Sequence, residues 1–406
     1  MADADTAPHP VPAAASGARA FREPEPFFAR AAGQHFSFYP AGADRREAMT
    51  EMLASATGSL KLAFYIFAED TISVAVRDAL VAAARRGVAV VLIIDRFGSA
   101  ASDAFLAPLR AAGGTVHCFS ARWTTRYLVR NHQKMIIADD ARAMFGGFNI
   151  EDDYFAPPEE NGWNDLAIVL EGPAVAGLVE WFAHLQTWTG DDGSPRFREI
   201  TQAVKSWDWQ VEDGGGAARW LVGGPTRGLS TWARRLAADM AKGRRLDIFM
   251  AYFSPPSHLL RQIGRIAARG ETRLVMAAKS DNNATLGASR FLYGLLLRRG
   301  ARIWEFTPSK LHTKLIVLDD VVYIGSANFD MRSLYINLEL MLEVRDAALA
   351  DRMRQYVTHH IAASEAITPE LYRKRATPWN RLRWWLGWLL VAVIDYSVSR
   401  RLNLGL

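Results

Sequence analysis

The 406-residue chain is 50% apolar and carries 13 Trp and 20 Phe, enough to fill the cores of two domains. Its single cysteine, Cys118, excludes an intrachain disulfide and a cysteine-cluster metal site. The net charge of +5 is concentrated in residues 371–406, where seven basic residues face only Asp395; the rest of the chain is near neutral, which argues against a nucleic-acid partner held by a broadly basic body.

Residues 1–33 are rich in Ala and Pro and read as a disordered N-terminal tail. They hold neither the apolar stretch of roughly 7–15 residues of a secretory signal nor a span of about 20, so neither export nor membrane insertion is expected from them. From residue 34 to 189 strand-like and helical patterns alternate. HFSFYP is followed by a helix over Asp44–Ala56, LKLAFYIF by a helix over Thr71–Arg86, and the run VAVVLIID by a helix over Asp103–Ala112. TVHCF, a loop through Arg122–Val129, the strand LAIVLEG and a helix over Ala174–Thr187 complete this first domain. Residues 190–216, with DDGSP and DGGG, read as a linker. The order then restarts in a second domain, residues 217–365. RWLVGGP leads to a helix over Leu229–Lys242, RLDIFMAYF to one over His258–Ala268, TRLVMAAK to one near Phe291–Arg299, and ARIWEF follows. Leu60 and Arg245, Gly87 and Gly270, and Gly114 and Gly300 stand at near-constant offsets. These imply duplicated α/β halves, each a mixed sheet flanked by helices, related by a pseudo-twofold axis.

The chemistry lies in a repeated motif. From Arg130 the chain reads RNHQKMIIADDARAMFGGFNIEDDY, and from Lys310 KLHTKLIVLDDVVYIGSANFDMRSLYINLE. Each copy gives a histidine, a lysine two residues on, an aspartate five beyond that, and an asparagine after a small-residue turn. These are His132, Lys134, Asp139 and Asn149, then His312, Lys314, Asp319 and Asn328. In extended chain, residues two apart share a face, so each copy presents one imidazole beside one ammonium. Two imidazoles facing one phosphorus can act as nucleophile and as general acid/base. The lysines and asparagines suit the phosphoryl oxygens without a metal or other cofactor. Asp139 and Asp319 end their strands at hairpins and read either as catalytic or as turn-forming carboxylates. Asp165 and Glu339 open apolar strands and are candidates to hold the imidazoles. The first hairpin is one residue longer than the second. An extra residue in the turn leaves the strands in phase, whereas one in the ladder would displace Asn328.

The duplicated motif resembles the phospholipase D superfamily. SANFDMRS with Asn337 and Glu339, and GGFNIEDDY in the first copy, resemble more narrowly the bacterial cardiolipin synthases, in the branch without N-terminal transmembrane helices. The resemblance implies phosphatidyl transfer between phosphatidylglycerol molecules through a phosphohistidine, with His132 as nucleophile, His312 as acid/base and glycerol released. A hydrolytic phospholipase D, phosphodiesterase or nuclease would use the same histidines, and a lipid-binding scaffold without catalysis is the non-enzymatic alternative. Residues 366–406 form a basic, Trp-rich tail whose apolar run, Trp384–Ile394, is too short to span a bilayer. Its expected roles are to hold the chain on the cytoplasmic face of the membrane or to pack as a helix on the body.

Overall fold

The computed structural model describes residues 21–119, 129–189, 197–213, 215–226 and 228–394. Two large sheets dominate it. The first runs, in spatial order, through Phe27–Ala31, Gln34–Tyr39, Ala167–Glu171, Arg142–Gly146, Met135–Ala138, Ser59–Phe64, Ala89–Asp95 and Thr115–Phe119. The second repeats that order with Trp209–Asp213, Gly216–Gly223, Glu339–Arg345, Val321–Gly325, Lys314–Leu318, Arg245–Met250, Glu271–Ala277 and Arg302–Phe306, and adds the edge strand Ser364–Ala366. In both, the strands at the hairpin end are antiparallel and those joined through helices are parallel. The duplicated mixed-sheet architecture expected from the offsets is therefore present.

Both motif strands are buried along their whole length, which is why they read as continuous rather than alternating apolar runs. One core lies between the sheets around Trp181, Phe182, Trp220, Phe249 and Tyr356, with the helices Ala174–Trp188 and Ala347–Ala362 contributing to it. A further core lies under the outer helices of each half.

Three boundaries differ from expectation. Phe27–Ala31, placed in the disordered tail, is a strand paired with Gln34–Tyr39, and Phe27 stacks on Phe38 at 4.7 Å. The 190–216 linker contains the helix Phe197–Ser206 and the strand Trp209–Asp213, the second-half counterpart of Phe27–Ala31. Glycine and aspartate around these short hairpin strands make them look like coil. The helix expected near Phe291–Arg299 begins at Asn283, where the Asn282 side chain accepts from the amides of Ala284 and Thr285. The expected loop 122–129 lies, apart from Val129, outside the described residues.

The tail forms helices Pro369–Arg375 and Pro378–Trp388, the latter continuing as a π-helix through Leu389–Ile394. One side of it packs along Asn283–Leu297. Trp384 stacks on Tyr372, Trp388 meets Phe291, and a Cβ on Gly387 would fall 2.7 Å from the Ala284 carbonyl, so only glycine allows this approach. The other side leaves Trp379, Leu382, Trp385, Leu386, Leu390 and Ile394 exposed. The tail thus does pack on the body, and two of the three clustered tryptophans turn inward. No described helix is long and apolar enough to cross a membrane.

Candidate active site

The two halves exchange short backbone pairings where the motif strands begin. The His132 amide donates to the Leu338 carbonyl at 2.9 Å, and the Leu338 amide donates to that of Arg130. Reciprocally, Lys310–Leu311 pairs with Trp163–Asn164, and the His312 amide donates to the Asn164 carbonyl at 2.8 Å. The next residue after each of these partners is a carboxylate. Glu339 of the second half therefore meets His132 of the first, and Asp165 of the first meets His312 of the second.

His132 Nδ1 lies 3.0 Å from Glu339 Oε2, and His312 Nδ1 lies 2.7 Å from Asp165 Oδ2. With Nδ1–H donating to a carboxylate, each Nε2 is left with its lone pair. The carboxylates are themselves fixed. Ser326 and Ser333 hydroxyls donate to Glu339 at 2.6 and 2.7 Å, and the Leu166 amide donates to Asp165 Oδ1. Gly147 stands where the second half has Ser326. A Cβ there would fall 2.6 Å from Asp165 Oδ1, so the shorter carboxylate needs glycine beneath it and the longer one gains a hydroxyl.

Lys134 Nζ donates to the His132 carbonyl at 2.5 Å, and Lys314 Nζ to that of His312. Lys314 Nζ also stands 2.8 Å from His312 Nδ1. That nitrogen has one in-plane direction, which the shorter contact to Asp165 occupies as donor, so we assign the ammonium to the carbonyl. Burial first, then Lys134 and Lys314, depress the His132 pKa well below its usual value. Burial and Lys314 bring His312 down to about 3, against the pull of Asp165. Burial lowers Lys314 to about 8 and lifts Glu339 to about 7. Asp165 is pushed up by burial but ends below the usual carboxylate range because of His312. Both imidazoles are neutral in the absence of an anion.

The histidines line one cavity of about 590 Å³, together with Asn149 and Asn328. Met135 pairs with Phe145, and Leu315 with Ile324, so the extra residue of the first hairpin sits in its turn and the two ladders stay in phase. Asn328 therefore occupies the place equivalent to Asn149. Asp139 and Asp319 are not brought to the site. Each turns the hairpin at the far end of its strand, about 16 Å along the chain from the motif lysine, with φ of 54° and 49°. Their carboxylates accept from the amides of Thr57, Gly58 and Ser59 and of Arg244 and Arg245. Of the two readings given by the motif, the geometry selects the turn-forming one.

Several site residues escaped the sequence. The Tyr154 hydroxyl accepts from Asn149 Nδ2 at 2.9 Å and lies 3.4 Å from His312 Nε2, while its ring packs edge-on against that imidazole. Fully buried Arg45 donates to the carbonyls of Pro40, Tyr154, Trp163 and Asp165, and so holds the segment carrying both Tyr154 and Asp165. Tyr154 closes the quoted GGFNIEDDY block, a signal that could have pointed to it. Arg45, in the helix Gly42–Ser55, gave no signal.

Duplicated mixed sheets with two carboxylate-held histidines in one cleft define a protein of the phospholipase D type. Two solved structures share the fold. Phosphatidylserine synthase from Haemophilus influenzae Rd KW20 matches with a TM-score of 0.69 at 14% identity, covering 92% of this chain and 96% of that one. Polyphosphate kinase from Porphyromonas gingivalis matches with a TM-score of 0.51 at 15% identity, covering 84% of this chain and 55% of that one. Residues 49–186 and 237–361 match the family described as "Cardiolipin synthase, PLD-like domain", and the chain belongs to that family. Cardiolipin synthase A of Pseudomonas putida (strain W619) is 31% identical over 316 residues, 76% of this chain, and the chain spans 64% of that relative's length. Cardiolipin synthase A of Pseudomonas entomophila (strain L48) is 29% identical over 80% of this chain and 68% of its own.

Proposed function

We propose that the chain is a phosphatidyltransferase that forms cardiolipin from two phosphatidylglycerol molecules and releases glycerol. The observation that carries this reading is the pair of imidazoles on one cavity, each with Nδ1 on a carboxylate from the opposite half. His132 is the nucleophile: its side chain is 12% exposed, against 5% for His312, and Tyr154 lies over Nε2 of His312. In the first step His132 Nε2 bonds to the donor phosphorus, the P–O bond to glycerol breaks, and His312 protonates the departing oxygen. In the second step neutral His312 removes the proton from the acceptor's terminal hydroxyl, whose oxygen displaces His132 from phosphorus. The first step needs His312 protonated and His132 neutral; a phosphodiester anion beside Lys314 offsets the part of the His312 shift that Lys314 causes and so favours its protonated form. Lys134, Lys314, Asn149 and Asn328 hold the phosphoryl oxygens.

The proposed workplace is the cytoplasmic face of the membrane, bound peripherally. Supporting it, exposed Leu382, Trp385, Leu386 and Leu390 lie on one tail helix beside Arg381 and Arg383, and Leu390 and Val391 also line the site cavity. Apolar chains held on this face lead directly to the histidines. The test is incubation of purified full chain with labelled phosphatidylglycerol vesicles and resolution of the products. Cardiolipin with glycerol supports the proposal. Phosphatidic acid alone indicates a hydrolase, cleavage of DNA without lipid turnover a nuclease, and no turnover of any phosphodiester a scaffold.

A further inference from the structure

The tail helix Pro378–Trp388 and its π-helical continuation lie between two cavities. Leu390 and Val391 reach the catalytic one, where Ala284 and Thr285 of the helix Asn283–Leu297 face them. A different face of that helix, with Leu286, Gly287 and Arg290, closes a second cavity of about 480 Å³ against Asn380, Arg383 and Trp384 of the tail. The charges lining this second cavity are unbalanced. Its two carboxylates are taken by two arginines: Arg290 forks Glu305 at 2.8 and 3.0 Å, and Arg375 bonds Glu365 at 2.6 Å and stands 3.6 Å from Glu305. Lys279 and Arg383 line it too, both exposed, and among the described residues neither has a carboxylate within ion-pair distance. Lys279 donates to the Pro308 carbonyl at 3.1 Å, which uses one of its three N–H groups.

What the cavity adjoins identifies its ligand. At about 3.6 residues per turn, Asn380, Arg383 and Trp384 share the cavity face of the tail helix, and exposed Trp379, Leu382 and Leu386 form the next stripe, with Arg383 on the border between them. An apolar stripe edged by a basic residue suits the level of a bilayer where acyl chains give way to phosphates. A phosphate at that border meets the Arg383 guanidinium from the tail and the Lys279 ammonium from the loop after Glu271–Ala277, and both groups bind phosphate oxygens well.

We propose that this cavity is a second, non-catalytic lipid site, in which Lys279 and Arg383 hold the phosphate of an anionic phospholipid whose acyl chains lie along the exposed stripe of the tail helix. This deepens the peripheral membrane reading given above and rests on it, and it is independent of which phosphodiester the histidines process. The bound phosphate bridges tail and body. It thereby fastens the helix that carries Leu390 and Val391 to the catalytic cavity.

The experiment counts phosphatidic acid bound per full-length chain in neutral detergent micelles, by mass spectrometry of the intact complex. Phosphatidic acid has no alcohol to lose, so turnover does not alter the count, and dilute lipid in neutral micelles presents no charged surface. Lys279→Gln combined with Arg383→Gln should retain one lipid fewer than wild type. Lys374→Gln combined with Arg381→Gln removes the same charge outside the cavity and should match wild type. A full count in the first pair, or the same loss in both pairs, overturns the site. Release of the lipid by inorganic phosphate at the lipid's own concentration assigns the cavity to the free ion and also overturns it. Sedimentation with phosphatidylglycerol vesicles separates the two readings. A wild-type chain that stays in solution overturns the membrane reading and the site with it, whereas one that sediments while the first pair keeps its full lipid count overturns the site alone.

Discussion

The aspartates that complete the motif offer the sharpest test of reading roles from geometry. Asp139 sits in the left-handed region at φ 54° and accepts from the amides of Thr57, Gly58 and Ser59 at 3.0, 2.6 and 2.9 Å. Asp139→Ala removes all three acceptor contacts. A hydrogen bond to a charged group is worth about 1.5–3 kcal/mol when desolvated, but this turn is open to water, which replaces much of the loss. We take about 1–2 kcal/mol for the whole cluster, and about 1 kcal/mol more for placing alanine in a left-handed conformation. The expected cost is therefore about 2–3 kcal/mol, read as a lower urea midpoint with unchanged slope. Asp139→Asn keeps one acceptor oxygen and tolerates the backbone, and should cost about half as much. Turnover per folded molecule should stay within about threefold of wild type, since the turn is about 16 Å along the strand from Lys134. A normal urea midpoint with turnover reduced a hundredfold or more would refute the argument and return Asp139 to the chemistry.

His132→Ala and His312→Ala should each abolish turnover with the unfolding midpoint preserved. Acid trapping should find phosphate on His132, and phosphate on His312 would reverse their roles. Activity should survive EDTA, because the proposed phosphate ligands Lys134 and Lys314 would supply positive charge without a metal; loss restored only by a divalent ion would contradict this. Lys314 titrates at about 8, so its ammonium and the activity fade as pH rises through that value. The unfolded chain keeps this proton up to about 10.4, so over that window the same group makes stability rise with pH, and its own titration does not unfold the chain. Leu386→Asp with Leu390→Asp should weaken sedimentation with phosphatidylglycerol vesicles, and unchanged binding would leave the tail as a packing helix alone.

How much of this was legible depends on how far each signal reaches along the chain. The repeated His, Lys and Asn spacing is local, and strand periodicity was enough to put each histidine and its lysine on one face. Asp165 and Glu339 were recognisable as strand-opening carboxylates, but which histidine each serves depends on a crossing between halves that no local pattern encodes. The motif aspartates kept two readings because a left-handed turn and a catalytic acid use the same residue. HFSFYP and RWLVGGP were read as strands, but their hairpin partners Phe27–Ala31 and Trp209–Asp213 were hidden because they are short and glycine follows them closely. Arg45 was invisible because its role rests on three carbonyls from a distant segment, besides that of nearby Pro40.

Duplication by itself would make the two histidines equivalent, whereas the proposed reaction needs one to bond phosphorus and the other to move protons. The structure breaks the symmetry at matched positions. Tyr154 lies over His312, while its second-half counterpart, Ser333, donates to the glutamate that holds His132. Asp153 pairs with Lys310, while its counterpart, Arg332, is among the groups whose charge lowers the His132 pKa. Each difference acts in one direction: His132 is the more exposed imidazole and feels Arg130 and Arg332, whereas His312 is more enclosed beside Tyr154. A nucleophile that must meet an anionic phosphorus gains from the first environment, and a group that must take up and release a proton beside a tyrosine hydroxyl gains from the second. Crossing the carboxylates between halves couples the two. Neither imidazole is oriented until both domains are folded and docked, so the two proposed roles arise together or not at all.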